Sequence, residues 1–70
     1  MEYRFSLRAA RAYADMTLKE AAREIGINYT TLQNWETGKT VPKATQLTQM
    51  AELYGVRAED IFLPSKSIQS

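Results

Sequence analysis

The stretch from Thr17 to Gly26 limits the possible folds more than any other part of the sequence. It begins with Thr17-Leu18-Lys19-Glu20, which has the pattern of a capping box. In a capping box the Thr17 hydroxyl accepts from the Glu20 backbone N–H, and the Glu20 carboxylate accepts from the Thr17 backbone N–H. Leu18, Ala21, Ala22 and Ile25 then recur at the spacing of one helix face, and Gly26 is a residue type that ends helices. This pattern predicts a short helix from Leu18 to Ile25.

A second helix follows after a very short turn. Only Gly26-Ile27 separates the first helix from Asn28, a favoured N-cap residue, so the second helix is predicted from Tyr29 to about Glu36. Its apolar positions, Leu32 and Trp35, lie three residues apart on one face. Two short helices joined by a tight turn with a glycine indicate a helix-turn-helix.

The same start and stop signals predict three further helices, from Ser6 to about Ala14, from about Ala44 to Tyr54, and from Ala58 to about Leu63. Strand signals are missing, because there is no run of alternating β-branched residues and no Asn-Gly or Asp-Gly turn. We therefore expect an all-α, compact five-helix bundle, with one domain over residues 1–64 and a short polar tail over residues 65–70.

Composition argues against catalysis and against bound metal. The sequence has no Cys and no His, so it lacks a thiol nucleophile, a disulfide, the commonest metal ligand and the usual general base. Its acidic residues form no recognisable catalytic pair. We expect no enzyme activity, no metal, no other cofactor and no small-molecule effector. No apolar run approaches the roughly 20 residues of a membrane span, and no signal peptide is evident, so we expect a cytoplasmic protein.

The formal net charge of +1 hides an uneven distribution. Residues 1–43 contain seven basic and five acidic groups, a net of +2, whereas residues 44–70 contain two basic and three acidic groups, a net of −1. Net charge alone does not indicate a nucleic-acid partner, but the half of the chain that contains the two short helices is more basic than the whole-chain sum suggests.

The face of the second helix opposite Leu32 and Trp35 is polar but uncharged. It carries Tyr29, Thr30, Gln33, Asn34 and Thr37. A face that is merely solvated normally carries Lys and Glu. Asn and Gln can bond the N6 and N7 atoms of adenine, and Thr can pack on a thymine methyl group. The pattern thus favours reading of base edges in the DNA major groove over a simple solvated face.

These motifs resemble the Cro/cI-type, or XRE, helix-turn-helix family. The matching elements are Thr17-x-x-Glu20-Ala21-Ala22, Gly26-Ile27-Asn28 and Thr31-Leu32-x-x-Trp35-Glu36-x-Gly38-Lys39, followed by Pro42, Leu47-x-x-Met50-Ala51 and Gly55-Val56. The resemblance runs from about Leu7 to Phe62. It implies a five-helix domain of the lambda-repressor-like type that binds double-stranded operator DNA, usually as a homodimer on a palindromic site.

The resemblance also implies roles for individual residues. Base-contacting positions fall on Tyr29, Thr30 and Asn34. Flanking contacts to sugar-phosphate or bases fall on Thr31 and Gln33, and contacts to the DNA backbone after the recognition helix fall on Lys39 and Lys43. Arg11 and Glu36 match an interior ion pair of the family. Leu18 stands where the family often has a Gln that donates to a phosphate, which indicates packing at this position instead.

Other assignments rest on the residues alone. Lys19 is a candidate phosphate-binding cation, and the helix N-termini at Thr17 and Asn28 present backbone N–H groups to anions. Lys43 and Arg57 are poor N-cap residues, so the last two helices are expected to start weakly. The apolar C-terminal third predicts a dimer surface that includes Leu53, Ile61 and Phe62.

Two functions are therefore open. The first is a sequence-specific transcriptional regulator, a repressor or Cro-like switch of the kind that phages and mobile elements carry. The second is an antitoxin-type module that neutralises a toxin protein and binds DNA secondarily. The short polar tail disfavours the second.

Overall fold

Four α-helices form the body of the protein in a computed structural model, which describes residues 5–63. Two very short strands and one 3₁₀ turn complete these residues. In chain order the elements are β1 (Phe5–Ser6), α1 (Leu7–Tyr13), α2 (Leu18–Ile25), α3 (Tyr29–Thr37), α4 (Ala44–Tyr54), the 3₁₀ turn (Ala58–Asp60) and β2 (Ile61–Phe62). The predicted bounds of α2 and α4 are confirmed, and α3 extends one residue beyond its predicted end.

The start and the end of α1 both have local causes. Ser6 is the N-cap residue, and its hydroxyl accepts a 3.0 Å hydrogen bond from the Ala9 N–H. Asp15 follows the helix with a φ of 62°, a left-handed conformation that Asp tolerates better than most residues. The Met16 N–H then donates to the Arg11 carbonyl over 3.2 Å, which closes the helix end and turns the chain toward α2.

The predicted fifth helix is not confirmed: the described residues form four α-helices rather than five, which is compatible with the predicted all-α fold class. In this segment only Ala58–Asp60 form a helical turn, of the 3₁₀ type. The side chain of Arg57, which precedes them, makes no capping hydrogen bond. The chain then becomes extended, and β2 pairs in parallel with β1, with Phe5 opposite Ile61. The extended backbone allows Ile61 to enter the core, where it is 4% exposed. The described residues are therefore mostly helical, with four α-helices.

Every α-helix contributes apolar side chains to one core, and β2 adds one more. The buried hydrophobic residues of this core are Leu7, Ala10, Ala21, Ala22, Ile25, Leu32, Trp35, Met50, Ala51, Tyr54 and Ile61. Leu7, Leu32 and Met50 are the largest of the fully buried side chains. Removing a side chain of this size from a core costs about 2–5 kcal/mol, so these three residues hold α1, α3 and α4 together.

Candidate nucleic-acid interface

The turn between α2 and α3 is closed by backbone hydrogen bonds onto the end of α2. The N–H groups of Gly26 and Ile27 both donate to the Ala22 carbonyl, over 2.8 and 3.0 Å. Gly26 adopts a φ of 89°, which is strained for any residue with a side chain. Because only this short turn separates the two helices, its geometry fixes the direction in which α3 leaves α2.

Helix α3 presents one apolar and one polar face. Leu32 is completely buried and Trp35 is 5% exposed, as predicted, so this face anchors the helix in the core. The polar residues of the helix remain accessible to different degrees. Tyr29, Thr30, Gln33 and Thr37 are exposed, and Thr31 and Asn34 are half-buried. Of the three predicted base-contacting residues, Tyr29 and Thr30 are thus open to a partner, and Asn34 is partly open.

The start of α3 differs from its sequence-based description in one respect. Asn28 occupies the N-cap position, but its side chain makes no capping hydrogen bond. Its carbonyl accepts from the N–H groups of Thr31 and Leu32, over 3.0 and 3.2 Å. The Asn28 amide is exposed and is not used to cap the helix, so it stays available for other hydrogen bonds.

A cation–π contact joins the first turns of the two helices, a feature that sequence reasoning missed. The Lys19 Nζ atom lies 5.6 Å from the centroid of the Tyr29 ring. Such a contact at an exposed site is worth about 0.5–1 kcal/mol. It holds the positive charge of Lys19 beside the start of α3. No pattern within either helix predicts this contact, because it depends on the angle between them.

The start of α2 has the predicted capping box. The Glu20 N–H donates to Thr17 Oγ1 over 3.0 Å, and the Thr17 N–H donates to Glu20 Oε1 over 2.9 Å. The Glu20 carboxylate is therefore engaged within its own helix end. Thr17 is exposed, so the first turn of α2 faces solvent close to Lys19.

Arg11 and Glu36 form the ion pair that the resemblance implies. Arg11 Nε donates to Glu36 Oε2 over 2.7 Å, and Nη2 donates to Oε1 over 3.1 Å. Arg11 Nη1 also donates to the Met16 carbonyl over 3.0 Å. The hydrogen bond to Glu36 raises the pKa of Arg11 above its usual value. Since the two side chains are only 15% and 7% exposed, the pair ties α1 firmly to α3.

Tyr54 lies in the core near this pair. Its side chain is buried, and its hydroxyl has no hydrogen-bond partner within the described part of the chain. Burial, together with the negative charge of Glu36, raises the pKa of Tyr54 to about 12, and Arg11 acts in the opposite direction. Tyr54 is therefore a neutral core residue at physiological pH.

Two exposed lysines follow α3. The Lys39 N–H donates to the Asn34 carbonyl over 2.9 Å, which places Lys39 immediately after the helix. The Lys43 N–H donates to Gln46 Oε1 over 2.9 Å. The sequence predicts a weak start for α4. This contact compensates in part, because Gln46, the third residue of the helix, accepts a hydrogen bond from the backbone N–H of the cap residue Lys43. Both lysine side chains point away from the core and are accessible to an anion.

The three predicted dimer residues have different environments. Phe62 is 42% exposed, and Leu53 is half-buried against the core. Ile61 lies within the core of the single chain, so it does not contribute to an accessible surface. Its extended backbone, paired with β1, turns its side chain inward. This placement corrects the surface role predicted for Ile61.

Residues 5–63 contain neither a membrane-spanning helix nor a cluster of metal-ligating side chains. None of the helices there is long and apolar enough to cross a membrane. The same residues contain no group of three or more acidic side chains placed to hold a metal ion.

The helix-turn-helix geometry agrees with a comparison against protein families. A family model described as helix-turn-helix matches residues 7–61, which is most of the chain. The chain belongs to the XRE-type helix-turn-helix family. It is accordingly a DNA-binding regulatory protein of the XRE type, and the family's domain is not typically enzymatic. A comparison with curated proteins gave no significant match.

Proposed function

We propose that this XRE-type protein is a sequence-specific transcriptional repressor that inserts α3 into the major groove of operator DNA. One observation carries the proposal: α3 is anchored through Leu32 and Trp35 and exposes an uncharged face of hydrogen-bonding side chains. A solvated helix gains nothing from leaving that face uncharged. A helix that approaches base edges gains from an uncharged polar face, because Asn, Gln and Thr side chains match the hydrogen-bond donors and acceptors of the bases.

Within this proposal, Tyr29, Thr30 and Asn34 contact bases. Recognition helices of the helix-turn-helix class contact base edges through their N-terminal residues, which fits the positions of Tyr29 and Thr30. Asn34 has a carboxamide that suits bidentate bonding to adenine. Thr31 and Gln33 contact the flanking bases or the sugar-phosphate backbone.

Phosphate contacts come from both ends of the helix-turn-helix. Thr17 and Lys19 lie at the start of α2, and Asn28 lies at the start of α3, where backbone N–H groups also favour anions. Lys39 and Lys43 follow α3. With so few cations, one copy would bind DNA weakly, with a non-specific Kd of about 10⁻⁴ to 10⁻⁶ M.

We propose that a homodimer on a palindromic operator supplies the missing affinity. Two copies place two recognition helices about one DNA turn apart. Phe62 and Leu53 form the proposed contact between copies, since Phe62 is accessible and Leu53 partly so. We assign repression because occupying an operator requires only the DNA-contacting surface described above.

Selection of bound sites from random duplex DNA tests this proposal. We expect enrichment of one palindromic sequence with half-sites about one turn apart. Asn34→Ala should weaken binding to that site by about 1–3 kcal/mol and relax the preference at one base position. Thr45→Ala, an exposed change on α4, serves as the control and should leave binding unchanged.

Two results would count against the proposal. Failure to enrich any sequence would exclude sequence-specific recognition. Stable co-purification with a toxic protein encoded beside the gene, together with weak and unselective DNA binding, would favour the antitoxin function instead.

A further inference from the structure

An open cleft of about 300 Å³ lies between α1, the first turn of α2 and the outer side of α3. Its walls are formed by Arg8, Arg11, Leu18, Gln33, Glu36 and Thr37. We propose that this cleft binds a phosphate of the DNA backbone and that Arg8 is its principal cation. The inference rests on the proposed DNA binding and adds a residue of α1 to the DNA-contacting surface.

The charges in the cleft leave Arg8 uncompensated. Both carboxylate oxygens of Glu36 accept hydrogen bonds from Arg11, at 2.7 and 3.1 Å, so the acidic group in the cleft is already paired. Arg8 is exposed and has no ion-pair partner among residues 5–63. The lining therefore carries a net charge of +1, located on Arg8, and that charge attracts an anion.

Polar donors next to Arg8 suit an oxyanion. The Gln33 side chain is exposed and makes no hydrogen bond within the described residues, so its NH₂ group can donate. Arg11 uses three of its five N–H groups on Glu36 and Met16, which leaves two N–H groups for another acceptor. Thr37 is less available, because its hydroxyl donates to the carbonyls of Gln33 and Asn34.

The position of the cleft explains why the anion would be DNA backbone. Gln33 belongs both to the cleft wall and to the exposed face of α3 that is proposed to read bases. A strand whose bases meet that face therefore passes its phosphates along the side of α3 where the cleft opens. Leu18 adds an apolar wall that can pack against a deoxyribose, and its side chain offers no donor.

Salt dependence of DNA binding tests the role of Arg8. Wild-type protein, Arg8→Gln and Arg8→Lys are compared on one duplex between 50 and 200 mM salt. Each phosphate contact contributes about −0.9 to the slope of log K against log salt, so Arg8→Gln should flatten the slope by about one. Between 50 and 200 mM salt, the fold-loss of DNA affinity for Arg8→Gln should therefore be about 3.5 times smaller than the fold-loss for the wild type. Arg8→Lys should retain the wild-type slope.

Arg23→Gln is the matched control, since Arg23 is an exposed arginine on α2 that does not line the cleft. It makes the same change in net charge and should leave the slope unchanged. Equal slopes for Arg8→Gln and Arg23→Gln, with a salt-dependent wild type, would overturn the cleft assignment alone. A wild type that binds no duplex would instead overturn the proposed function.

Inorganic phosphate distinguishes a backbone contact from a site for a free anion. NMR titration should show resonances of Gln33 and of the Arg8 and Arg11 side chains shifting on addition of duplex, but not saturating with low-millimolar inorganic phosphate. Saturation by phosphate alone, with an unchanged duplex slope in Arg8→Gln, would assign the cleft to a free anion and overturn the backbone contact.

Discussion

The ion pair between Arg11 and Glu36 allows a sharp test of how this small domain is held together. Arg11→Met removes both N–H donors from the Glu36 carboxylate, which is only 7% exposed, and one donor from the Met16 carbonyl. Breaking such a pair from one side costs about 3–5 kcal/mol, because a charge is left buried without a partner. A domain of 70 residues has a total stability of about 4–10 kcal/mol, so this variant should be close to unfolding.

The double variant Arg11→Met/Glu36→Leu should be more stable than the single one. Removing the carboxylate as well eliminates the uncompensated charge, and an apolar pair of similar volume is often neutral or better. The lost bond to the Met16 carbonyl still costs about 1 kcal/mol. We therefore expect the double variant to lie within about 2 kcal/mol of the wild type.

Urea unfolding at pH 7, followed by far-UV circular dichroism and by Trp35 fluorescence, measures these differences. Arg57→Met is the control, since the Arg57 side chain is 71% exposed and its ion pairs with Glu59 and Asp60 are long, at 3.4 and 3.5 Å. Its stability should change by no more than about 0.5 kcal/mol. The reasoning fails if Arg11→Met costs less than 1 kcal/mol, or if the double variant is less stable than the single one.

Three further predictions follow from particular contacts. Tyr54→Phe should stabilise the protein by about 1 kcal/mol at pH 7, because it removes a buried hydroxyl without a described partner. Because the pKa of Tyr54 is raised, the wild type loses stability as the pH rises from 10 through about 12. The stability advantage of Tyr54→Phe, measured by urea unfolding, should therefore widen over that pH range. A difference in stability that stays constant with pH would contradict this. Gln46→Ala should lower the free energy of unfolding by about 0.5–1 kcal/mol, since the Lys43 N–H loses its acceptor, and an unchanged urea midpoint would exclude a capping role. Phe62→Ser should raise the dissociation constant of the proposed homodimer by about tenfold in sedimentation equilibrium, equivalent to about 1.4 kcal/mol, and a wild type that remains monomeric at high concentration would rule out the dimer.

Short-range signals account for the helices that were predicted correctly. The bounds of α2 were predictable because its capping box and Gly26 act within a few residues of the backbone they satisfy. The same holds for α4, which ends at Gly55. The burial of Leu32 and Trp35 was predictable from their spacing, because a helix places residues three apart on one face.

The errors occur where contacts between distant residues decide the conformation. Ile61 is extended because its backbone pairs with Phe5, near the other end of the described chain, and its side chain enters the core. Local propensity around Ala58 favours a helix and contains no information about that partner. Asn28 is a separate case: it takes the N-cap position of α3 without the predicted side-chain hydrogen bond, and no contact within the described residues explains this.

The candidate interface divides in the same way. The anchored face and the uncharged polar face of α3 were predictable from the sequence, because helical periodicity assigns residues to faces. The contact of Lys19 with Tyr29 and the cleft shared by Arg8 and Gln33 become visible only in the folded chain. These relations depend on how α1, α2 and α3 cross one another, and the crossing is set by the packing of the whole core rather than by any local pattern.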